Sequence, residues 1–443
     1  MDRILHRLAE WSSNLRYEDL PDEVVRAAKR LAIDTFGCAL AAAESPPAAI
    51  AQRLAAAAGQ SQGGATTFAR LHGTTPELAA FANGCMIRYL DLNDTFAGPG
   101  GVGHPSDYLA AALAAAESVG AGGREVILGL VLAYEVYARM TDAAGLGHHL
   151  WDQPVFGVMA SAAATARVMG LTLEQTANAI SLATVANVAL EETRLGTVSL
   201  WKGCAAANAS RNGVFAARLA AAGMTGPGEV FEGRGGFCAA LGCRLAPPDL
   251  GPGGDFAILH ANLKRYPAGF FSQTAIEAAV QLRSEAPEAT SWRLGTFPYG
   301  EHVMAGDPEK WRPTTRETAD HSLPYVVALA LLEGDVTAAG IEGHLHDPRL
   351  RAIADRLKVE VDPACAAAWP QAAMTRLTAL LADGGERTVE VRHHRGHAKN
   401  PLTDQELEAK FLGLVPRGKD LLRRLWRLEE EGDLSALITL TRA

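Results

Sequence analysis

The sequence predicts a mainly α protein: a large helical body with a smaller α+β region toward the C-terminus. Three observations carry this. The first 250 residues read as one helical pattern after another. Near Gly251-Pro252-Gly253-Gly254 the character changes, and short β-like runs alternate with helical ones. From Thr403 the chain reads as helix again. At 443 residues the chain is too long for one ordinary core, so two domains are expected.

The elements follow in order. Met1–His6 begins an amphipathic helix. Pro21-Asp22-Glu23 opens a helix to about Ala43, with proline in the first turn and acids where the helix dipole favours them. Thr75-Pro76-Glu77 opens another, carrying Leu78, Phe81, Cys85 and Tyr89 at helical spacing toward Asp91. Helices over Asp107–Gly120 and Glu125 to about Thr141 come next, and Thr172-Leu173-Glu174-Gln175 fits a capping box. Beyond Gly254, Phe256–Leu259, Leu357–Val361 and Thr388–Val391 read as strands, and Gln273–Arg283 and Tyr325–Leu332 as helices. Thr403-Asp404-Gln405-Glu406 caps a helix over Leu407–Leu412.

Composition narrows the function. A net charge of −9 argues against a nucleic-acid binder, which would carry a basic field. An acidic protein that takes an anionic substrate needs a local cationic pocket, which makes isolated lysines informative. Six scattered cysteines without a C-x-x-C pair read as free thiols in a reducing compartment, and they argue against an iron–sulfur cluster. No signal-peptide core and no membrane-length apolar run are visible, so the cytoplasm is expected and a membrane is not.

The stretch richest in chemistry is Asp91-Leu92-Asn93-Asp94-Thr95, followed by Gly103-His104-Pro105-Ser106 after Gly98, Pro99, Gly100 and Gly101. A carboxylate, a hydroxyl and an imidazole share what reads as a flexible loop between helices, the kind of element that carries function. The same residues also suit helix caps, and His-Pro-Ser can simply open the next helix.

This loop resembles the signature segment of the MmgE/PrpD family, which includes 2-methylcitrate dehydratase, cis-aconitate decarboxylase and iminodisuccinate epimerase. Trp201-Lys202-Gly203, Lys264-Arg265-Tyr266-Pro267-Ala268, Arg316–Tyr325 and Arg395–Thr403 resemble further family segments, in the family's order. The resemblance implies a large helical domain, an inserted α+β lid domain and an active site in the cleft between them; the compositional shift and the motif positions together put the helical domain at 1–261 with 399–443 and the lid at 262–398. It also implies a homodimer, and a lyase that acts without cofactor or metal on a small polycarboxylate such as 2-methylcitrate.

The shared reaction step removes a proton, or CO₂, next to a carboxylate, so fixed cations must meet the developing charge. Lys202 and Lys264 match the family's substrate-pocket lysines, with Lys202 at the start of a helix rich in Ala and Gly. His104 is the expected acid/base. Asp91 is expected to hold its tautomer or to contact substrate, and Thr95 to donate to a substrate carboxylate. Tyr325 is expected as a second acid reaching in from the lid. His321 is either substrate-binding or a structural histidine at a helix start.

Two departures bear on the reaction. Gly269 stands where cis-aconitate decarboxylases carry a histidine, which favours dehydration over decarboxylation. Phe270-Phe271 puts apolar bulk where related dehydratases often carry a polar pair. His344-Leu345-His346, read as strand, and His393, His394 and His397 are expected to be surface or structural residues, since no zinc-type ligand spacing is present. Gly233-Arg234-Gly235-Gly236 lacks the Lys-Ser/Thr of a nucleotide loop. Epimerisation and decarboxylation are the close alternatives. A catalytically silent helical binding protein is the contrasting class, but such a protein has no reason to keep Asp91, Thr95, His104, Lys202, Lys264 and Tyr325 together.

Overall fold

The computed structural model describes residues 1–145 and 151–442, and it is mainly helical. Local rules set the helix ends. The Asp2 carboxylate accepts from the Leu5 amide at 2.8 Å at the head of the helix Arg3–Asn14. Thr75 caps Pro76–Tyr89. Thr172 and Gln175 close a reciprocal box on Leu173–Val185. The helix after Pro21 runs Asp22–Ala41, and the later pair are Leu109–Val119 and Gly123–Ala144.

Alanine and glycine let these helices approach closely. A Cβ on Gly84 would stand 2.8 Å from the Ala207 Cβ, and one on Gly213 would stand 2.4 Å from the Ser161 Cβ. The helices Pro76–Tyr89, Pro154–Val168 and Ala205–Ala221 therefore pack almost backbone to backbone. The helix Asp404–Leu414 returns to lie on Asp22–Ala41, with Phe411 against Gly37 and Lys410 bonded to Asp34 at 2.5 Å. One buried apolar cluster accordingly joins Leu31 and Phe36 to Phe411, Leu425 and Leu437.

A second cluster gathers Tyr266, Leu282, Leu294, Phe297, Val327 and Leu377. It includes one face of a four-stranded sheet whose order is Leu357–Val361, Ala289–Thr296, Thr375–Leu381, Glu386–Val391. The first pair is parallel and the other two are antiparallel. Helices Gln273–Glu285 and Leu323–Glu333 pack against it.

Four expectations need correction. The run Phe256–Leu259 is no strand: a 3-10 turn, Ala257–His260, follows Phe256, with Ala257 and Ile258 buried and the Ala257 amide on the Glu135 carboxylate at 2.6 Å. His344-Leu345-His346 follows the short helix Ala338–Gly343 as a turn rather than a strand. The two inner strands, Ala289–Thr296 and Thr375–Leu381, were not expected from their sequence. The glycine-rich stretch is an antiparallel hairpin, Phe96–Gly98 with Gly101–Gly103, and it is wedged against the helix Gly123–Ala144. Its glycines are there for space, since a Cβ on Gly103 would fall 1.6 Å from the Tyr137 hydroxyl oxygen and one on Gly100 2.1 Å from the Thr141 carbonyl oxygen.

No helix among the described residues is long and apolar enough to cross a membrane. The six cysteines are unpaired, with the buried Cys85 and Cys204 sulfurs 3.5 Å apart.

Candidate active site

Three backbone ties assemble the site. Thr95 and Asn262 exchange hydrogen bonds as an isolated antiparallel bridge, at 2.7 and 2.9 Å. That bridge sets Lys264, two residues on, beside Asp91. The Val198 amide and carbonyl meet the Thr318 and Thr315 hydroxyls, which brings the 3-10 turn Leu200–Gly203, and so Lys202, against Asp320. The Gly269 amide then bonds the Asp320 carbonyl at 2.8 Å.

Asp91 stands at the centre in a left-handed conformation (φ 52°). Its carboxylate receives the Arg88 guanidinium, the Lys264 ammonium at 2.5 Å and the Lys202 ammonium at 3.4 Å. Lys202 turns chiefly to Asp320, at 2.6 Å. Asp320 also pairs with Arg316 at 3.3 Å and with the His321 Nδ1 at 2.6 Å. All of these groups are buried or nearly so. Burial alone would raise both carboxyls, but Arg88, Lys264 and Lys202 hold Asp91 well below its ordinary range, and Lys202 with His321 draws Asp320 down to about 2. Both are carboxylates, and the cations are their counterions. Burial lowers the lysines despite these acids, Lys264 to about 8.

The two imidazoles have matching environments. Burial, then Arg88 and Lys264, push His104 well below its ordinary value. Burial, then Lys202, push His321 to about 4. Each ring is neutral near pH 7. The His104 Nδ1 meets the Asp94 carbonyl at 2.7 Å and the His321 Nδ1 meets the Asp320 carboxylate, and these oxygens can only accept. Both rings therefore carry their proton on Nδ1 and keep the Nε2 lone pair.

His104, His321, Arg88 and Asp91 line a cavity of about 390 Å³. Phe271, Tyr299 and Trp369 add an apolar wall, with Phe271 edge-on to the other two at 5.4 and 5.5 Å. A side chain added at Gly269 would point at Met304 and at the His321 Nε2, which lies 3.5 Å from the Cβ position.

The structure thus brings Asp91, Lys202, Lys264, His104 and His321 together, but not all in the expected parts. Asp91 does not orient His104; it lies 3.3 Å from the His321 Nδ1 instead. The Thr95 hydroxyl is fully buried beside the His104 Nδ1, at 3.3 Å, and supports that ring rather than reaching the cavity. Lys264 is wholly enclosed and is engaged by the Asp91 carboxylate and carbonyl. Lys202 precedes the helix Ala205–Ala221 by a 3-10 turn and is not at its first residue. Tyr325 is not at the site: its hydroxyl donates to the Ile341 carbonyl at 2.6 Å, and the expectation of a second acid there is withdrawn.

Sequence reasoning missed Arg88, Asp320 and Lys310. The signal for Arg88 was the one cation in an otherwise largely apolar helix, three residues before Asp91. Asp91, Asp320 and His321 are the one carboxylate–imidazole group among the described residues close enough to share a metal ion. The ammonium and guanidinium groups already bonded to both carboxylates occupy the positions a cation would take.

A pair of neutral imidazoles and a set of ion-paired aspartates thus meet at one cavity in a mainly helical body. Residues 6–245 match the MmgE/PrpD N-terminal domain and residues 266–425 the MmgE/PrpD C-terminal domain, and the chain belongs to that family. It is 29% identical to a 2-methylcitrate dehydratase of Cupriavidus necator, over 86% of this chain and 83% of that one. A 2-methylcitrate dehydratase of Escherichia coli K12 is 30% identical, over 73% of this chain and 72% of its own. A cis-aconitate decarboxylase of Homo sapiens is 24% identical, over 96% and 92% respectively.

Proposed function

We propose that this enzyme is a hydro-lyase, needing no cofactor, that takes water from a small hydroxy di- or tricarboxylate of the 2-methylcitrate kind. The observation that carries the reading is the pair of neutral, Nδ1-protonated imidazoles opening on one cavity. His104 takes the proton from carbon next to a carboxylate. His321, neutral by itself, gains proton affinity once an anionic substrate lies against it, and then serves the departing hydroxyl as acid. Arg88 answers the charge that builds on the substrate. In this reading the segment 262–398 is a lid that carries His321 to the helical body, and the unpaired thiols suit the cytoplasm.

The test is a panel of 2-methylcitrate, citrate, cis-aconitate and iminodisuccinate in D₂O, followed by proton NMR. Water loss or gain with solvent deuterium entering carbon is expected. Itaconate from cis-aconitate, at a turnover matching any dehydration, would overturn the reading in favour of decarboxylation. One observation keeps that second reading in play: the His321 Nε2 stands beside Gly269, so this part of the cavity is not without an imidazole.

A further inference from the structure

Among the cations of the site, Lys310 differs in kind. It is the third residue of the short helix Pro308–Trp311 and is only 1% exposed. Arg88, Lys202, Lys264 and Arg316 each have a carboxylate within ion-pair distance, but among the described residues Lys310 has none, and no hydrogen-bond acceptor meets its ammonium. The side chain lines the same cavity as His104 and His321. Its main chain is fixed from behind, where the Ser322 hydroxyl donates to the Lys310 carbonyl. Burial, then Lys202, lowers its proton affinity, while the charges of Asp307 and Asp320 act the other way without reaching ion-pair distance.

A buried lysine without a counterion destabilises the fold, and structures keep one where a ligand supplies the missing charge. We propose that Lys310 is the carboxylate-binding residue of the cavity, receiving a substrate carboxylate remote from the carbon that reacts. The assignment rests on the polycarboxylate reading above and deepens it. The two aspartates neutralise Lys202 and Lys264, which leaves Lys310 as the ammonium open to an incoming anion. It therefore sets specificity for a substrate with one carboxylate more than the chemistry needs.

The test uses two unreactive anions, propane-1,2,3-tricarboxylate and glutarate, which share a backbone and differ by one carboxylate. Binding to the parent enzyme, Lys310→Met and Lys310→Arg is measured by calorimetry, with thermal unfolding alongside. Lys310→Met should weaken the tricarboxylate roughly ten- to hundredfold, the size of one charged hydrogen bond, and glutarate much less. Lys310→Arg should recover part of the loss. Lys310→Met should unfold no earlier than the parent, because it removes an unpaired buried charge. Tight tricarboxylate binding by the parent with unchanged binding by Lys310→Met overturns the assignment and leaves the hydro-lyase reading standing. Equal losses for both anions also overturn it. Failure of the parent to bind either anion overturns both.

Discussion

Imidazoles held neutral by burial dictate the pH range over which the site works. His321 takes a proton only as pH falls through about 4, and His104 also protonates well below the ordinary value of about 6.5. On the alkaline side Lys264 loses its proton near pH 8, which removes a charge that keeps Asp91 ionised. A profile of kcat/KM should therefore stay high below pH 6.5 and decline toward pH 8 and above; an acid limb centred at 6.5 would contradict the burial argument. His104→Ala and His321→Ala should each lower turnover roughly 10²–10⁴-fold while folding normally. Tyr325→Phe should cost about 1 kcal/mol of stability, from the bond to Ile341, with turnover close to the parent's. Comparable turnover losses in all three variants would place Tyr325 back in the reaction. Asp91→Ala should destabilise by roughly 3–5 kcal/mol, because it strands the enclosed Lys264 without a carboxylate and leaves Arg88 and Lys202 only Asp107 and Asp320, and urea unfolding measures it.

The hairpin Phe96–Gly103 shows at element scale what sequence does and does not disclose. The functional character of the stretch was legible from Asp91 and His104. Its rigidity was not, because five glycines and prolines read as a flexible loop when nothing shows the Tyr137 hydroxyl pressed against Gly103. Gly103→Ala should accordingly displace His104, next in the chain, with a loss of activity exceeding the loss in melting temperature; an active variant of parental stability would mean the hairpin yields. Helices were readable wherever caps and apolar spacing coincided, as at Thr75, Thr172 and Thr403. The inner strands escaped notice because Ala289–Thr296 is polar at one end and Thr375–Leu381 lacks strict alternation, so only their pairing marks them. The ion pairs were the least legible feature. Lys202 and Lys264 were recognisable as important, but that Asp91 and Asp320 neutralise them depends on contacts 111 to 173 residues apart in the chain.

At the scale of the molecule, the segment between the helix Leu173–Val185 and Lys202 turns apolar side chains outward. Val185, Val188, Leu190, Leu195, Leu200 and Trp201 are exposed, with Val188 at 68%. Leu195 also lines the cavity, and Lys202 follows directly. We propose that a second copy of the chain covers this face, since six large apolar side chains exposed along one segment are more than a monomer usually leaves in water. Light scattering should return a dimer, and Val188→Glu with Trp201→Glu should yield a monomer with impaired turnover. A fully active monomeric parent would rule this out.

The return of the helix Asp404–Leu414 to Asp22–Ala41 also governs the order in which the protein can be made. Lys410 bonds Asp34, the Leu92 carbonyl and the Lys264 carbonyl together, at 2.5, 3.0 and 2.7 Å. During synthesis the helix Asp22–Ala41 emerges with its flank around Asp34 and Gly37 still bare, and more than 360 further residues must leave the ribosome before Lys410 and Phe411 can cover it. Through that interval, on the order of tens of seconds at roughly 5–20 residues per second, the nascent chain presents an apolar surface that a chaperone would recognise.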